Sequence, residues 1–459
     1  MVTGANYLLE HEGTKILVDC GLNQGGKYAE DLNYQPFKYD PAEIGYVFIT
    51  HSHIDHIGRL PKLFKDGFRG KVYATSATRD LMTVALPDNM KQITEEAKDM
   101  GHEPLFQQED LDGLMALVEG VSYNETIELG DGLTATFHDA GHILGSSIVE
   151  IKQGEKKIYF SGDLGNPPTP LLRVTEKITD ADYIVVESAY GDRVHEGREE
   201  RREKLISIIE STIKRGGVLM IPSFAVERTQ ELLYELNGLF SAEGGSASGG
   251  NDKKIPRVPV FVDSPLAIKM TGVYKMHPEY FNKETAYLIK SGDDIFNFPG
   301  LQMTATSEES KKINDVPSPK IIIAGSGMSQ GGRILHHEIR YLPDINSTIL
   351  FVGYQVDGSL GRRIQKGDKE VRIMGQIVSV KCRIENLSAY SAHADQPGLL
   401  KWVGGSTSDE GGEGHLKKVF VVQGEDESAR TLANLVYEKY GVDAVAPSEG
   451  EVFELDPVK

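Results

Sequence analysis

The sequence predicts an α/β protein that contains two kinds of β-sheet. At 459 residues the chain is longer than one hydrophobic core usually serves, so two or three domains are expected. Residues 1–190 alternate short β-rich runs with helical stretches near residues 58–67, 76–86 and 89–100, which favours packed sheets with helices outside. From about residue 192, fully apolar runs alternate regularly with helical patterns, and repeated βα units of this kind predict a doubly wound parallel sheet.

The composition is that of a soluble globular protein. Hydrophobic residues make up 39% of the chain and charged residues 25%, and no apolar run reaches the roughly 18 residues needed to span a bilayer. The N-terminus carries neither a basic region nor an apolar targeting segment, so residence in the cytoplasm is expected. Two cysteines, Cys20 and Cys382, cannot build a disulfide framework and are expected to be small buried hydrophobes.

The charge balance bears on nucleic acid as a partner. The formal net charge is −19, from 49 basic and 68 acidic residues. Affinity for nucleic acid depends heavily on lysine and arginine meeting phosphates. Any basic groove on this chain is therefore expected to be local.

The stretch "GYVFITHSHIDHIGRL" carries the strongest chemical signal. An apolar strand leads to three histidines and one aspartate within six positions, namely His51, His53, Asp55 and His56. Neutral imidazole and carboxylate suit zinc, and a loop after a buried strand holds such ligands with little conformational loss. His51 and His53 can project from one side of an extended segment, while Asp55 and His56 sit on the turn that opens a helix. A polar loop that is merely rich in histidine is the alternative, and this spacing argues against it.

Two further strand ends offer ligands. "FHDAGHILGSS" supplies His142 and "IYFSGDLGN" supplies Asp163. Taken alone, each has an ordinary explanation, because a histidine before a turn can bond a carbonyl and "SGD" is a common turn.

Three loops of the middle segment suit phosphate. "AGSGMSQGGR" follows an apolar strand and opens a helix, which places backbone N–H groups and the positive end of the helix dipole together. "PSFAVERTQ" and "VDSPLA" have similar positions, and in such sheets ligands collect at the carboxyl ends of the strands. Tight strand-to-helix turns need glycine in any case, so the pattern alone is weak. The candidate substrate-binding side chains are Ser223, Arg228, Ser264, Ser326 and Arg333.

The order of these motifs resembles a known family. "THSHIDHIGRLP", "AGHILGSS" and "SGDLGN" resemble the metallo-β-lactamase fold, an αββα sandwich with a binuclear metal site. "ESAYGDRVHE", "PSFAVERTQELLY", "GSGMSQGGRILHH", "FVGYQVDGSLGRRI" and "SAHADQ" resemble its β-CASP subgroup, which includes the pre-mRNA cleavage endonuclease subunit and bacterial and archaeal RNA-processing homologues. The resemblance implies a metallo-β-lactamase domain over residues 1–191 and 381–459, with a doubly wound β-CASP domain inserted over residues 192–380.

The resemblance also implies roles for the ligands. One zinc would be held by His51, His53 and His142, the other by Asp55 and His56, with Asp163 bridging the two. A metal-activated hydroxide would attack the phosphodiester.

Two further residues match the family's catalytic motifs. His393 in "YSAHADQ" would protonate the departing 3′ oxygen, and Glu187 in "VVESAYGDR" would orient it. Glu187 as an ordinary carboxylate before a helix is the alternative. Glu187, His393 and Asp55 are the predicted catalytic residues.

One position departs from the pattern. Where RNA-cleaving relatives present a histidine in a sequence like "HGE", this chain has Gln423 in "VVQGEDESAR". An amide oxygen is a poorer zinc ligand than imidazole, so a second ion is expected to be weak or held by water. DNA-processing members also lack histidine here, which leaves RNA and DNA both open. The abrupt start of the chain suggests a truncated or misassigned N-terminus.

The expected function is zinc-dependent cleavage of single-stranded RNA in a cleft between the two domains. A non-catalytic homologue that binds nucleic acid or serves as a complex subunit is the main alternative, together with a DNA nuclease. A small-molecule metallohydrolase would not need an insert of nearly 190 residues. No membrane partner is expected, a homodimer is compatible with the resemblance, and endonucleolytic and exonucleolytic cutting stay open.

Overall fold

A computed structural model describes most of the chain as two compact units. The described residues are 3–25, 31–195, 201–240, 256–353, 355–356, 358–387 and 390–456. The first unit comprises Met1–Val194 with His393–Lys459, and the second comprises His195–Ala392. No helix among the described residues combines the length and the apolar character that crossing a membrane requires.

The described residues form twenty strands and thirteen α-helices. The strands are β1 (Tyr7–His11), β2 (Thr14–Val18), β3 (Tyr46–Phe48), β4 (Lys71–Thr75), β5 (Val118–Val121), β6 (Thr126–Gly130), β7 (Leu133–Asp139), β8 (Ser147–Gln153), β9 (Lys156–Phe160), β10 (Tyr183–Glu187), β11 (Val218–Pro222), β12 (Val260–Asp263), β13 (Leu301–Met303), β14 (Lys320–Ala324), β15 (Thr348–Phe351), β16 (Glu370–Ile373), β17 (Gln376–Ser379), β18 (Arg383–Asn386), β19 (Lys418–Val422) and β20 (Asp443–Val445). The helices are α1 (Ile54–Ile57), α2 (Leu60–Lys65), α3 (Ser76–Met100), α4 (Gln108–Met115), α5 (Arg201–Lys214), α6 (Arg228–Phe240), α7 (Pro265–Met276), α8 (Lys283–Lys290), α9 (Ser307–Lys312), α10 (Ile334–Tyr341), α11 (Leu360–Gln365), α12 (Gln396–Gly404) and α13 (Asp426–Tyr440).

The first unit is a sandwich of two sheets. One sheet has the order β1-β2-β3-β4-β5 and the other the order β20-β19-β10-β9-β8-β7-β6. Strands β2 to β5 are parallel, as are β9, β10, β19 and β20, whereas β6 to β9 form an antiparallel meander. Phe48 of one sheet packs with Phe137 and Phe160 of the other in a shared core.

Helices cover the outer faces of this sandwich. Helix α3 packs on β4 and β5, and α12 and α13 bury Trp402 and Leu432 against the second sheet. The order of layers is therefore αββα, as the resemblance to the metallo-β-lactamase fold implies.

Helix α3 is longer than expected. Two helical stretches were predicted on either side of Pro87, but one helix runs through it and ends at Gly101, whose φ of +74° suits glycine. Leu81, Leu86 and Ile93 are buried along both halves, so packing outweighs the hydrogen bond that proline removes.

The second unit has a six-stranded, wholly parallel sheet. Its order is β13-β12-β14-β11-β15-β18, and the central strands are buried along their whole length. This is the predicted doubly wound sheet. Residues 381–392 were assigned to the first domain from sequence, but β18 pairs with β15 and Tyr390 hydrogen-bonds to Glu235 of α6. These residues therefore belong to the second unit.

Candidate metal centre

An aspartate at the end of β2 organises the histidine-rich loop. The buried Asp19 accepts from the N–H of Thr50 at 2.8 Å and from its hydroxyl at 2.8 Å, and Asp19 Oδ2 lies 2.7 Å from Nδ1 of His56. Because a carboxylate only accepts, Nδ1 of His56 carries the proton and Nε2 is turned into the site. Asp19 was not predicted from the sequence, although its position after the apolar run "KILV" is the same signal that identified Asp163.

Four side chains from three loops converge on one point in the first unit. His53 Nδ1 lies 3.0 Å from His51 Nε2 and 3.3 Å from His142 Nε2. Asp163 Oδ2 lies 3.3 Å and 3.5 Å from those two Nε2 atoms. A tetrahedral ion with ligands at about 2.0–2.1 Å has ligand-to-ligand edges of about 3.3 Å. These four pairs are close to that edge length and all four atoms lie within 4.8 Å of one another, so the group could hold one metal ion.

The protonation of this cluster suits metal binding. Burial lowers the pKa of His51 and lowers those of His53 and His142 well below their ordinary value, and repulsion from neighbouring histidines acts in the same direction. Burial opposes ionisation of Asp163, but the surrounding histidines hold the pKa of Asp163 well below its usual range. Neutral imidazoles and an ionised carboxylate are the forms that bind a cation.

Asp163 also reaches a second set of ligand atoms. Its Oδ1 lies 3.4 Å from His56 Nε2, which in turn lies 3.8 Å from Asp55 Oδ2. Asp163 is therefore placed between the two sets, with one oxygen toward each. The second set is looser, because Asp55 belongs to none of the described groups of histidine and carboxylate atoms that lie within 4.8 Å of one another.

Gln423 occupies part of this second set. Its Nε2 lies 3.1 Å from His56 Nε2. Burial lowers the pKa of His56, but Asp163, Asp19 and Asp55 outweigh it and raise that pKa well above the ordinary value. The amide either donates to a neutral ring or turns its oxygen to accept from a protonated one. In both cases the contact occupies the nitrogen that would bind a second cation.

Glu187 and His393 form a pair beside the cluster. His393 Nδ1 lies 3.1 Å from Glu187 Oε2 and 3.8 Å from Asp163 Oδ2. Glu187 is fixed in turn, because its Oε1 accepts from the N–H of Leu164 at 2.6 Å. Burial raises the pKa of Glu187, whereas for His393 burial is outweighed by Glu187 and Asp163, which raise its pKa to about 9. The pair has the geometry of a proton carrier and the group that positions it.

Glycine allows the loops of the site to approach this closely. Gly162 precedes Asp163 with a φ of +53°, and a Cβ there would lie 2.6 Å from Cβ of Thr50. A Cβ on Gly21 would lie 1.5 Å from the carbonyl oxygen of Asp55. Any larger residue at either position would push a ligand-bearing loop away.

The five predicted substrate-binding side chains all lie in the second unit, and three of them brace its loops. Ser264 accepts from the N–H of Ala267 at 3.2 Å and so caps α7. Ser326 Oγ accepts from the N–H groups of Gln330 and Gly331 at 3.0 Å and 3.2 Å. Ser223 is buried and its hydroxyl lies 3.0 Å from that of Thr229.

The two predicted arginines are ion-paired within the unit. Arg333 donates to Asp263 at 2.8 Å. Arg228 is buried, donates to Glu231 and lies over the ring of Tyr390. A buried, paired guanidinium stabilises the fold, and contact of Arg228 with substrate stays a prediction.

Known proteins match the chain over nearly all its length. The model of the metallo-beta-lactamase superfamily domain matches residues 8–165, that of the Beta-Casp domain residues 229–364, and that of the Zn-dependent metallo-hydrolase RNA specificity domain residues 377–447. A protein named ribonuclease TTHA0252 from Thermus thermophilus is 38% identical, over 95% of this chain and 93% of its own. The chain belongs to the β-CASP family of metallo-β-lactamase hydrolases.

Another relative and a solved structure are also similar to this β-CASP protein. Transcription termination factor FttA of Methanosarcina mazei is 31% identical over 98% of this chain and 69% of its own length. A crystal structure of a protein of unknown function from Enterococcus faecalis V583 has a TM-score of 0.54 at 12% identity, covering 98% of this chain and 96% of that one, and shows the fold alone. Membership of the family makes the chain a metal-dependent hydrolase, and the His51, His53, His142 and Asp163 cluster fits such an ion.

Proposed function

We propose that the chain is a zinc-dependent ribonuclease that cleaves single-stranded RNA. One observation carries the proposal: within the first unit, four ligand atoms that lie within 4.8 Å of one another stand beside a histidine that a buried carboxylate holds. The relative named as a ribonuclease and the matching RNA specificity model favour RNA over DNA.

Zinc suits this donor set better than other common ions. Three imidazole nitrogens and one carboxylate oxygen are a donor set typical of zinc, whereas magnesium and calcium prefer six or more oxygen ligands. A zinc ion held by His51, His53, His142 and Asp163 would supply Lewis-acid activation of water and of the phosphodiester.

The chain's own residues supply positioning and proton transfer. Glu187 accepts from one ring nitrogen of His393, which fixes the ring and turns its other nitrogen outward. We propose that this second nitrogen carries the proton that is donated to the departing 3′ oxygen. Asp55, 23% exposed at its side chain, is the most accessible carboxylate of the second set, which supports its proposed catalytic role.

The second ion is proposed to be weak. A cation at His56 Nε2 must displace the contact with Gln423, and the amide that remains is a poorer ligand than imidazole. This feature favours the second candidate function, a homologue of reduced activity that binds nucleic acid within a complex.

Metal content and cleavage together test the proposal. Purified protein is analysed for zinc and incubated with labelled single-stranded RNA and DNA of one sequence. The variant His142→Ala is treated in the same way. The control is His102→Ala, which removes an exposed histidine outside the cluster. We expect tightly held zinc and RNA cleavage in the native chain and the control, with both lost in His142→Ala. Zinc-loaded protein that cuts neither nucleic acid would favour the non-catalytic homologue, and preferential cutting of DNA would overturn the choice of RNA.

A further inference from the structure

An exposed aromatic ring lies at the carboxyl edge of the parallel sheet in the second unit. Phe224 follows β11, and its side chain is 41% exposed. A phenylalanine gains considerably from burial, so one left open to water at the edge where parallel sheets collect ligands calls for an explanation.

The two neighbouring strand ends are shaped around this ring. Strand β11 lies between β14 and β15, and the loops after these strands present Gly327 and Gly353 to Phe224. A Cβ on Gly327 would lie 2.6 Å from the ring, and one on Gly353 would lie 3.5 Å from it. Glycine at the first position is therefore a requirement for the ring to lie where it does. The ring lies against these two glycines, and 41% of the residue is exposed to solvent.

Buried hydrogen bonds hold this arrangement rigid. Gln355, 1% exposed, donates its side-chain amide to the carbonyls of Gly327 at 3.0 Å and Gly353 at 3.2 Å, which ties the two loops together. The carbonyl of Phe224 accepts from the hydroxyl of Thr229 at 2.7 Å. An aromatic surface with a fixed backbone loses little conformational entropy when a flat ligand binds.

We propose that Phe224 is a stacking platform for a nucleobase of single-stranded RNA. The inference rests on the proposed function and adds a base-binding position to it. Stacking on an aromatic ring is available to every base, and it does not require positive charge, which suits a chain with a net charge of −19. Loss of one such contact costs about tenfold in affinity.

Binding without cleavage tests the platform. Native protein, Phe224→Ala, Phe224→Leu and Phe224→Trp are stripped of metal with a chelator and titrated with a labelled single-stranded RNA. Alanine and leucine should each weaken binding about tenfold, because neither stacks, while tryptophan should retain it. Leucine keeps an apolar side chain against Gly327, so a loss in that variant cannot be attributed to a collapsed loop. The matched control is Tyr287→Ala, which removes a 71% exposed ring from α8 of the same unit and should bind like the native chain.

The tryptophan variant gives a direct spectroscopic reading. The chain has one tryptophan, Trp402, which is buried in the first unit. In Phe224→Trp the added fluorescence should be quenched by RNA and left unchanged by an abasic ribose-phosphate chain of equal length. Equal quenching by both, native-like affinity of Phe224→Leu, or an equal loss in Tyr287→Ala would each overturn the platform. If the native protein binds and cleaves RNA and the Phe224 variants bind it equally well, only the stacking platform is refuted. If the native protein neither binds nor cleaves RNA, the proposed ribonuclease function is refuted.

Discussion

At the scale of single residues, the site depends on carboxylates that set the state of histidines. Asp19 fixes Nδ1 of His56, and Glu187 fixes Nδ1 of His393. For His56 this contact turns Nε2 toward Asp163, and for His393 we propose that it leaves Nε2 to act on the substrate. These acceptors determine which nitrogen acts, so their loss should affect chemistry more than stability.

Gln423→His should strengthen the second metal set. Imidazole is the better ligand, and a histidine there would share a cation with His56 and Asp163. We expect zinc content to rise from about one to about two ions per chain, with faster cleavage. Elemental analysis after dialysis measures the zinc content, and an assay with labelled RNA measures the cleavage rate. Gln423→Leu serves as the control and should stay at about one ion, and an unchanged ion count in Gln423→His would contradict the role given to this position.

His393→Ala should slow RNA cleavage by roughly 10²–10⁴-fold, because it removes the proposed proton donor. Glu187→Gln should slow cleavage less, since the amide can still accept from the ring while no longer stabilising its charge. Zinc content should stay at the native level in both variants. If either variant loses zinc, the residue is a metal ligand, and its proposed part in proton transfer fails.

At the residue scale, the sequence signal was clearest where it was local. His51, His53 and His56 lie within one short loop, so their convergence could be read from spacing. The contact of Gln423 with His56 spans 367 residues and depends on the register of β10 with β19, which places Glu187 opposite Val422. Spacing along the chain does not encode that register, so the sequence placed Gln423 beside the second set only through the family resemblance.

At the scale of elements, the antiparallel part of the second sheet carries a charged network. His138 on β7 lies 3.2 Å from Glu150 of β8 and 3.1 Å from Glu176. Glu150 also accepts from the hydroxyl of Tyr159 at 2.6 Å. Burial lowers the pKa of His138, but the two glutamates outweigh it and raise that pKa to about 9.

This network should make stability depend on pH. A histidine whose folded pKa is raised contributes stability that is complete below its unfolded pKa of about 6.5 and is lost as pH rises through about 9. His138→Gln should therefore lower the free energy of unfolding by about 1–3 kcal/mol at pH 6 and by much less at pH 10. Denaturant unfolding at the two pH values measures the difference, with the exposed His415→Gln as control. If His138→Gln lowers the free energy of unfolding equally at both pH values, the charge on His138 does not contribute to stability.

Elements were predictable where apolar periodicity was strong. The buried runs of β10, β11 and β14 are plain in the sequence, whereas β5 and β6 were missed because "VEGV" and "TIELG" mix glycine and glutamate into short strands. Strand β18 was placed in the wrong unit, since "RIEN" is polar and its pairing with β15 is set by tertiary contacts.

At the scale of the whole molecule, the net charge acts in opposite directions on metal ions and on RNA. A chain with a net charge of −19 attracts cations and repels a polyanion such as RNA at long range. RNA must therefore be held by short-range contacts, of which base stacking is one.

Metal loading should stabilise the fold as a whole. In the absence of an ion, Asp163 and the histidines around it are buried without the cation that best satisfies them. Zinc in excess of its dissociation constant should raise Tm by about 5–10 °C over chelator-treated protein, and magnesium should not. Calorimetry of native and His142→Ala protein tests this expectation. An equal zinc shift in the variant would mean that the stabilising ion binds elsewhere.

The chain leaves and re-enters the first unit at one place. The N–H of Gln396 donates to the carbonyl of Arg193 at 3.1 Å, and the side chain of Gln396 donates to Gly191 at 2.8 Å. The second unit is therefore inserted at a single point of the first, and strands from either side of that point, β10 and β19, pair directly. The strand order that carries Glu187 is thus independent of the inserted sequence, so what the second unit binds can change without rebuilding the chemistry of the first.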